Sequence, residues 1–215
     1  MANYLKWIEI YHLIMISAWV VTLINRKKGD GIIRYFLVFL SVSLVFEMFV
    51  SYYFARVYKD NRLVLVFYAT MCAAYYLYVL NEHFRTKPWA TYFHVISGIW
   101  LILATFFLVG DIAKNTFDPL WYNLGMGLAS IIILKYFYDV VYVDEYRNVF
   151  REPKMYFFLG ILIFFTSSFP LLIKIKFLST YSQQIGSTFF GLMRAFGNIF
   201  LALGYLGAAI CNRKI

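Results

Sequence analysis

Charged side chains are scarce in this sequence. Asp, Glu, Lys and Arg make up 14% of the residues, where an ordinary soluble domain carries about a quarter. That shortage excludes a solvated surface over most of the chain. Cysteine numbers two, Cys72 inside an apolar run and Cys211 at the end of the last one, so no disulfide framework is expected. Histidine numbers three. His12 falls at a different depth from His83 and His94, whereas a metal-dependent hydrolase needs several ligands converging at one level. GxSxG, HExxH, a glycine-rich phosphate loop and CxxC are all missing, and with them the usual signatures of a nucleophile, a zinc site or a nucleotide. No catalytic residue, metal or cofactor is therefore expected. Serine/glycine linkers and low-complexity segments are missing too, so 1–215 reads as a single polytopic membrane domain.

What the chain has is hydrophobicity. Apolar residues reach 62% and aromatic residues 22%, with a mean hydropathy of +0.69. Seven apolar runs can be drawn, roughly 4–24, 33–55, 63–80, 89–110, 120–143, 155–173 and 187–210. Each is about 20 residues, enough for a helix to cross about 30 Å of hydrocarbon. The expected fold is an all-α membrane protein, a seven-transmembrane-helix bundle. Polar punctuation separates the runs: Asn25-Arg26-Lys27-Lys28-Gly29-Asp30-Gly31 is a turn, and Pro88, Pro119 and Pro153 stand where new helices begin, a position that tolerates proline. The first run closes on Thr22-Leu23-Ile24-Asn25 without a small-x-small site, which favours a retained helix over a cleaved signal peptide.

A net charge of +9 would suggest nucleic acid in a soluble chain. Here the basic residues sit in short connections between apolar runs, as membrane anchors do, and offer no continuous basic face. No nucleic-acid partner is expected. The odd connections and the C-terminal end hold eleven Lys and Arg, and the N-terminal end and even connections hold seven. By the positive-inside bias the N-terminus lies outside and the C-terminus in the cytoplasm. The expected location is the plasma (inner) membrane, crossed several times.

Polar residues inside apolar runs are expensive in lipid and mark pairing or function. In the last run Ser187, Gly191, Arg194, Asn198 and Tyr205 follow at spacings that share one helical stripe. Glu9 and His12, three apart, share a face in the first run. Glu47, with Ser43 and Ser51 four residues to either side, makes a stripe in the second. These groups fall in the outer half, so Arg194 is expected to meet Glu47, with Glu9 and His12 in one outward polar cavity for a ligand or coupling ion. Pro170, preceded by Ser167 and Ser168, is expected to interrupt the sixth run and act as a hinge. The inner half holds a second set, Asn81, His94, Lys135 and Asp139. Lys135 and Asp139 are spaced to pair along one helix, and the lysine stem also suits snorkelling to the interface. Gly204 and Ala208, four apart, permit a close helix crossing.

The seven-run, N-outside plan resembles that of rhodopsins and seven-helix receptors in topology. The intramembrane cation of the last run is Arg194, which cannot form a retinal Schiff base, and Leu80-Asn81-Glu82-His83 stands where receptors carry their helix-3 motif. Length and topology are also similar to those of small sugar transporters of three-plus-one-plus-three design. Their prolines recur in both halves, whereas here the first three runs have none. The functional expectation is a sensor or membrane component of a signalling complex, with a cytoplasmic protein partner and a small-molecule ligand. The alternative is a small transporter or permease subunit using the same charges.

Overall fold

The computed structural model describes residues 9–25, 31–57, 62–85, 87–114, 120–142, 151–177 and 183–211. Among them there is no strand. The helices are α1 (Ile10–Ile24), α2 (Gly31–Val45), α3 (Ser51–Val57), α4 (Arg62–Phe84), α5 (Ala90–Lys114), α6 (Leu120–Tyr142), α7 (Pro153–Phe177) and α8 (Gln183–Cys211). A π-helical turn, Phe46–Val50, joins α2 to α3 without a break. Helix is the form that satisfies every backbone group within one segment, which an apolar environment demands. Four segments are long and apolar enough to cross a membrane: Tyr35–Val57, Ala90–Gly110, Asn123–Tyr142 and Gly191–Cys211. Ile10–Ile24 and Pro153–Ser167 are shorter apolar helices.

The helix ends follow local chemistry. Pro153 opens α7, where its missing N–H has no helical acceptor to lose. Pro88 lies in the turn before α5, which the backbone bonds Lys87 N–H to Phe84 O (2.9 Å) and Ala90 N–H to Lys87 O (3.0 Å) hold together. Pro119 and residues 4–8 of the first expected run lie outside the described residues. Pro170 sits inside α7, which continues to Phe177. The expected interruption is therefore not a helix end. Upstream, Ser167 Oγ donates to Ile163 O (2.7 Å) and Thr166 Oγ1 donates to Ile163 O (3.0 Å), a local back-bonding that such residues make in helices.

Two compact units are present, 1–44 with 138–215 and 45–137. In the first, α7 and α8 cross antiparallel at very short range. A Cβ on Gly204 would lie 2.7 Å from Tyr156 O and 2.8 Å from Gly160 Cα, and one on Gly160 would lie 3.0 Å from Phe200 O. Only glycine lets two backbones meet there. Beside that crossing Tyr205, 2% exposed, gathers Phe36, Phe39 and Phe157 with ring centroids 5.7, 5.8 and 5.8 Å away. Edge-on packing to Phe36 and Phe39 is a favourable aromatic geometry.

Helix α1 packs along α8 in the same direction. At its start Glu9 meets Arg194; at its end the Asn25 side-chain amide donates to Ala209 O at 3.3 Å. Parallel packing of these two helices follows from the matching order of the two contacts. On its other side Trp19 Nε1 donates to Ser41 Oγ (2.8 Å), which ties α1 to α2.

The second unit is built on α4, α5 and α6. Trp100 of α5 lies over Gly125 of α6, where an added Cβ would penetrate the indole, and its Nε1 donates to Trp121 O at 2.9 Å. Trp121 in turn stacks on Phe107 with centroids 4.0 Å apart. At the opposite end Trp89 packs on Phe84 (4.6 Å) and Phe93 (4.9 Å), while His83 meets Tyr136 edge-on at 4.9 Å.

Candidate functional site

The first candidate cluster forms where α1 starts. Glu9 is the N-cap, with extended backbone (φ −91°, ψ 162°). Its own N–H donates to His12 Nδ1 at 3.0 Å, the reciprocal half of a capping box. The accepting nitrogen carries no proton, so this contact specifies the neutral ring with its proton on Nε2. His12 is 2% exposed, with the Tyr11 ring 4.0 Å from its own. Glu9 and His12 thus sit at the mouth of the helix, and the spacing of three serves the cap as well as the shared face.

Arg194 reaches this cap from α8. Its Nη2 lies 3.6 Å from Glu9 Oε1, and the two side chains are 64% and 44% uncovered by protein. Alongside is a cavity of about 310 Å³ lined by Glu9, Ile10, Tyr11, Ala195 and Ile199. At that length and exposure the contact is a loose one, easily exchanged for another partner. Asn198, one turn further along α8, is half-buried. The stripe read from the sequence therefore runs from the uncovered Gly191 and Arg194 to the buried Tyr205.

Glu47 belongs to the other unit. It lies on the π-turn and is half-buried. That turn closes with Ser51 N–H on Phe46 O and absorbs one residue more than an α-turn, a device common near functional positions. Ser43 and Ser51, before and after it, are both buried.

The second cluster lies between α4 and α5. A cavity of about 440 Å³ is lined by residues including Asn81, Glu82, Arg85, His94, Ser97 and Gly98. This volume falls within the range of small-molecule pockets. Asn81 Oδ1 and Ser97 Oγ are buried in its wall and have no hydrogen-bond partner among the described residues. His94 Nδ1 is 2.6 Å from Ala90 O; a carbonyl only accepts, so Nδ1 carries the proton and Nε2 is the acceptor of the neutral ring. Glu82 and Arg85 approach to 3.6 Å at the rim. The structure thus brings Asn81 and His94 of the inner set into one cleft. Lys135 lies elsewhere, its Nζ 5.7 Å from the centre of the Trp89 ring, a cation–π distance. Asp139, one turn on along α6, is buried at 8% exposure.

Ser97, Gly98 and Trp100 were not singled out by sequence reasoning. A lone serine in an apolar run reads as a packing residue, and the sequence carries no signal that its hydroxyl faces a cavity. Among the described residues no three of His, Cys, Asp and Glu are grouped as metal ligands. The class that fold and composition define is an all-helical protein with apolar helices fit to cross a membrane. Comparison of the chain with protein-family profiles, curated proteins and solved structures finds no match.

Proposed function

We propose that this chain is a seven-pass protein of the plasma (inner) membrane, N-terminus outside and C-terminus in the cytoplasm, that works as a sensor or membrane component of a signalling complex. The topology draws support from the parallel contact of α1 with α8. Two helices running the same way across a bilayer are separated by an odd number of crossings, as the first and seventh of seven are.

The observation that carries the sensor reading is the Arg194–Glu9 contact beside its cavity. Glu9 both caps α1 and meets the cation of α8, so a ligand that takes either charge changes the first turn of α1 and its hold on α8 together. A loose ion pair in an environment that penalises unpaired charge has two stable outcomes, paired or ligand-bound. Such a pair is a suitable bistable element, and the basic cytoplasmic connections are the surface for a protein partner. Against the transporter alternative, the glycine-mediated α7–α8 crossing favours a fixed scaffold over helices that rock past one another.

The test is a paired measurement on Arg194→Met and wild type, purified from native membranes and reconstituted in proteoliposomes. The sensor reading expects one cytoplasmic protein to co-purify with wild type, a changed yield of that protein with Arg194→Met at equal folding, and no solute uptake. Uptake that depends on Glu47 overturns it in favour of a transporter or permease subunit. An Arg194→Met variant that folds and keeps the same partner unchanged removes the ion pair from the mechanism.

A further inference from the structure

The α4–α5 cleft is a site distinct from the Arg194 cluster, and its chemistry points to a ligand class. One end of its wall is apolar, made by Ala74, Leu77, Trp100 and Leu101, and the other end is polar. At that end the two rim charges, Glu82 and Arg85, face each other at 3.6 Å and cancel. No net charge is left to select an ion. The groups that do lack partners among the described residues are Asn81 Oδ1, a pure acceptor, and the hydroxyl of Ser97, a residue only 7% exposed. His94 Nε2 adds a second acceptor, because Nδ1–H is committed to the Ala90 carbonyl. Buried acceptors without donors are costly and call for a donor from outside.

We infer that this cleft binds a neutral amphiphile whose head carries hydroxyl groups, of the monoacylglycerol type. The head donates O–H to Asn81 Oδ1 and His94 Nε2 and exchanges a hydrogen bond with Ser97 Oγ, while the chain leaves along Leu77 and Leu101. At about 30 Å³ per water-sized group, the 440 Å³ holds about fifteen non-hydrogen atoms. That accommodates a glycerol ester head and the first part of its chain. The remainder continues over α5, whose Val95, Ile99, Ile102 and Phe106 are uncovered by protein. A charged head fits worse, since a carboxylate or phosphate would meet the orphan acceptors with acceptors of its own.

Gly98 supplies a clean block. It lines the cleft, and a Cβ added there meets nothing within 4 Å. Gly98→Leu therefore projects a side chain from a Cβ that meets no obstacle, and leucine is the better helix former. The experiment uses the full chain in nanodiscs with a monoacylglycerol bearing a diazirine in its acyl chain, and maps the cross-linked residues by mass spectrometry. Label is expected between 74 and 101, competed by excess unlabelled monoacylglycerol and at least tenfold less well by the fatty acid or phosphatidylglycerol of equal chain length. Gly98→Leu should abolish the competable label. Ser97→Ala should weaken competition about fivefold, the scale of one hydrogen bond. Each variant is first checked for wild-type thermal unfolding, and Ser97→Ala stands in if Gly98→Leu misfolds. Label spread evenly over α5 and indifferent to competitor, or undiminished in the two variants, overturns the inference and leaves annular lipid. Equal competition by the anionic lipids overturns the neutral-head assignment. None of these outcomes depends on Arg194.

Discussion

Gly204→Ala tests the α7–α8 crossing directly. The new Cβ would stand 2.7 Å from Tyr156 O and 2.8 Å from Gly160 Cα, where non-bonded carbons prefer about 3.5 Å or more. Both obstacles are backbone, so no side chain can swing aside, and the helices must part by about 0.7 Å. A gap of that size forfeits a quarter to a half of each dispersion contact along the seam. Overpacking typically costs about 1–3 kcal/mol, and alanine returns up to about 1 kcal/mol in helix propensity. A net loss of about 1 kcal/mol is expected. Gly191 is the control, because a Cβ there meets nothing within 4 Å; Gly191→Ala should be neutral or gain up to about 1 kcal/mol. Reversible unfolding in mixed micelles, followed by tryptophan fluorescence, measures both. Gly160→Ala should lose a similar amount, and the double variant less than the sum, since one separation serves both. If Gly204→Ala proves as stable as Gly191→Ala, the close crossing is wrong.

Gly125→Ala should displace the Trp100 indole and break its bond to Trp121 O, losing about 1–3 kcal/mol in the same unfolding assay; wild-type stability would refute the contact. Asn25→Ala removes the donor to Ala209 O. It should destabilise by about 1 kcal/mol, with faster amide exchange at the C-terminal turn of α1 and unchanged exchange at its start. Glu9→Ala removes the cap and the Arg194 contact together, so hydrogen exchange should quicken at residues 10–13 and leave residues 20–24 untouched. Exchange that rises evenly along α1 would show that Glu9 holds the whole helix instead.

Helix positions were legible because hydrophobic run length and polar punctuation are strong, local signals. The expected runs 120–143 and 155–173 overlie α6 and α7 almost end to end. The π-turn was not legible, since Phe46-Glu47-Met48-Phe49-Val50 contains neither the glycine nor the proline that usually announces an irregular turn. The cap at Glu9 was obscured for the opposite reason: Tyr4, Leu5, Trp7 and Ile8, broken only by Lys6, extend the apolar run and read as more helix. Depth paired Arg194 with Glu47 and put Glu9 and His12 in the same cavity, whereas the contact formed within the first unit is with Glu9. The helix rotation that turns Glu9 toward α8 is fixed by packing within the first unit, for instance of Tyr205 among Phe36, Phe39 and Phe157, and a hydropathy profile holds no record of it. The α4–α5 cleft shows the same limit. Asn81 and His94 were visible as polar residues at one level, but the empty side of Gly98 belongs to the neighbouring helix as much as to its own.

The pairing of α1 with α8 has a consequence for biogenesis. The Asn25–Ala209 bond joins residues 184 apart in the chain. At a synthesis rate of about 5–20 residues per second, α1 waits roughly 10 to 40 s for the helix that covers it. Throughout that interval Asn25, buried in the finished protein, lacks its α8 partner. A chain truncated before α8 therefore loses the Glu9 and Asn25 contacts at both ends of α1 at once.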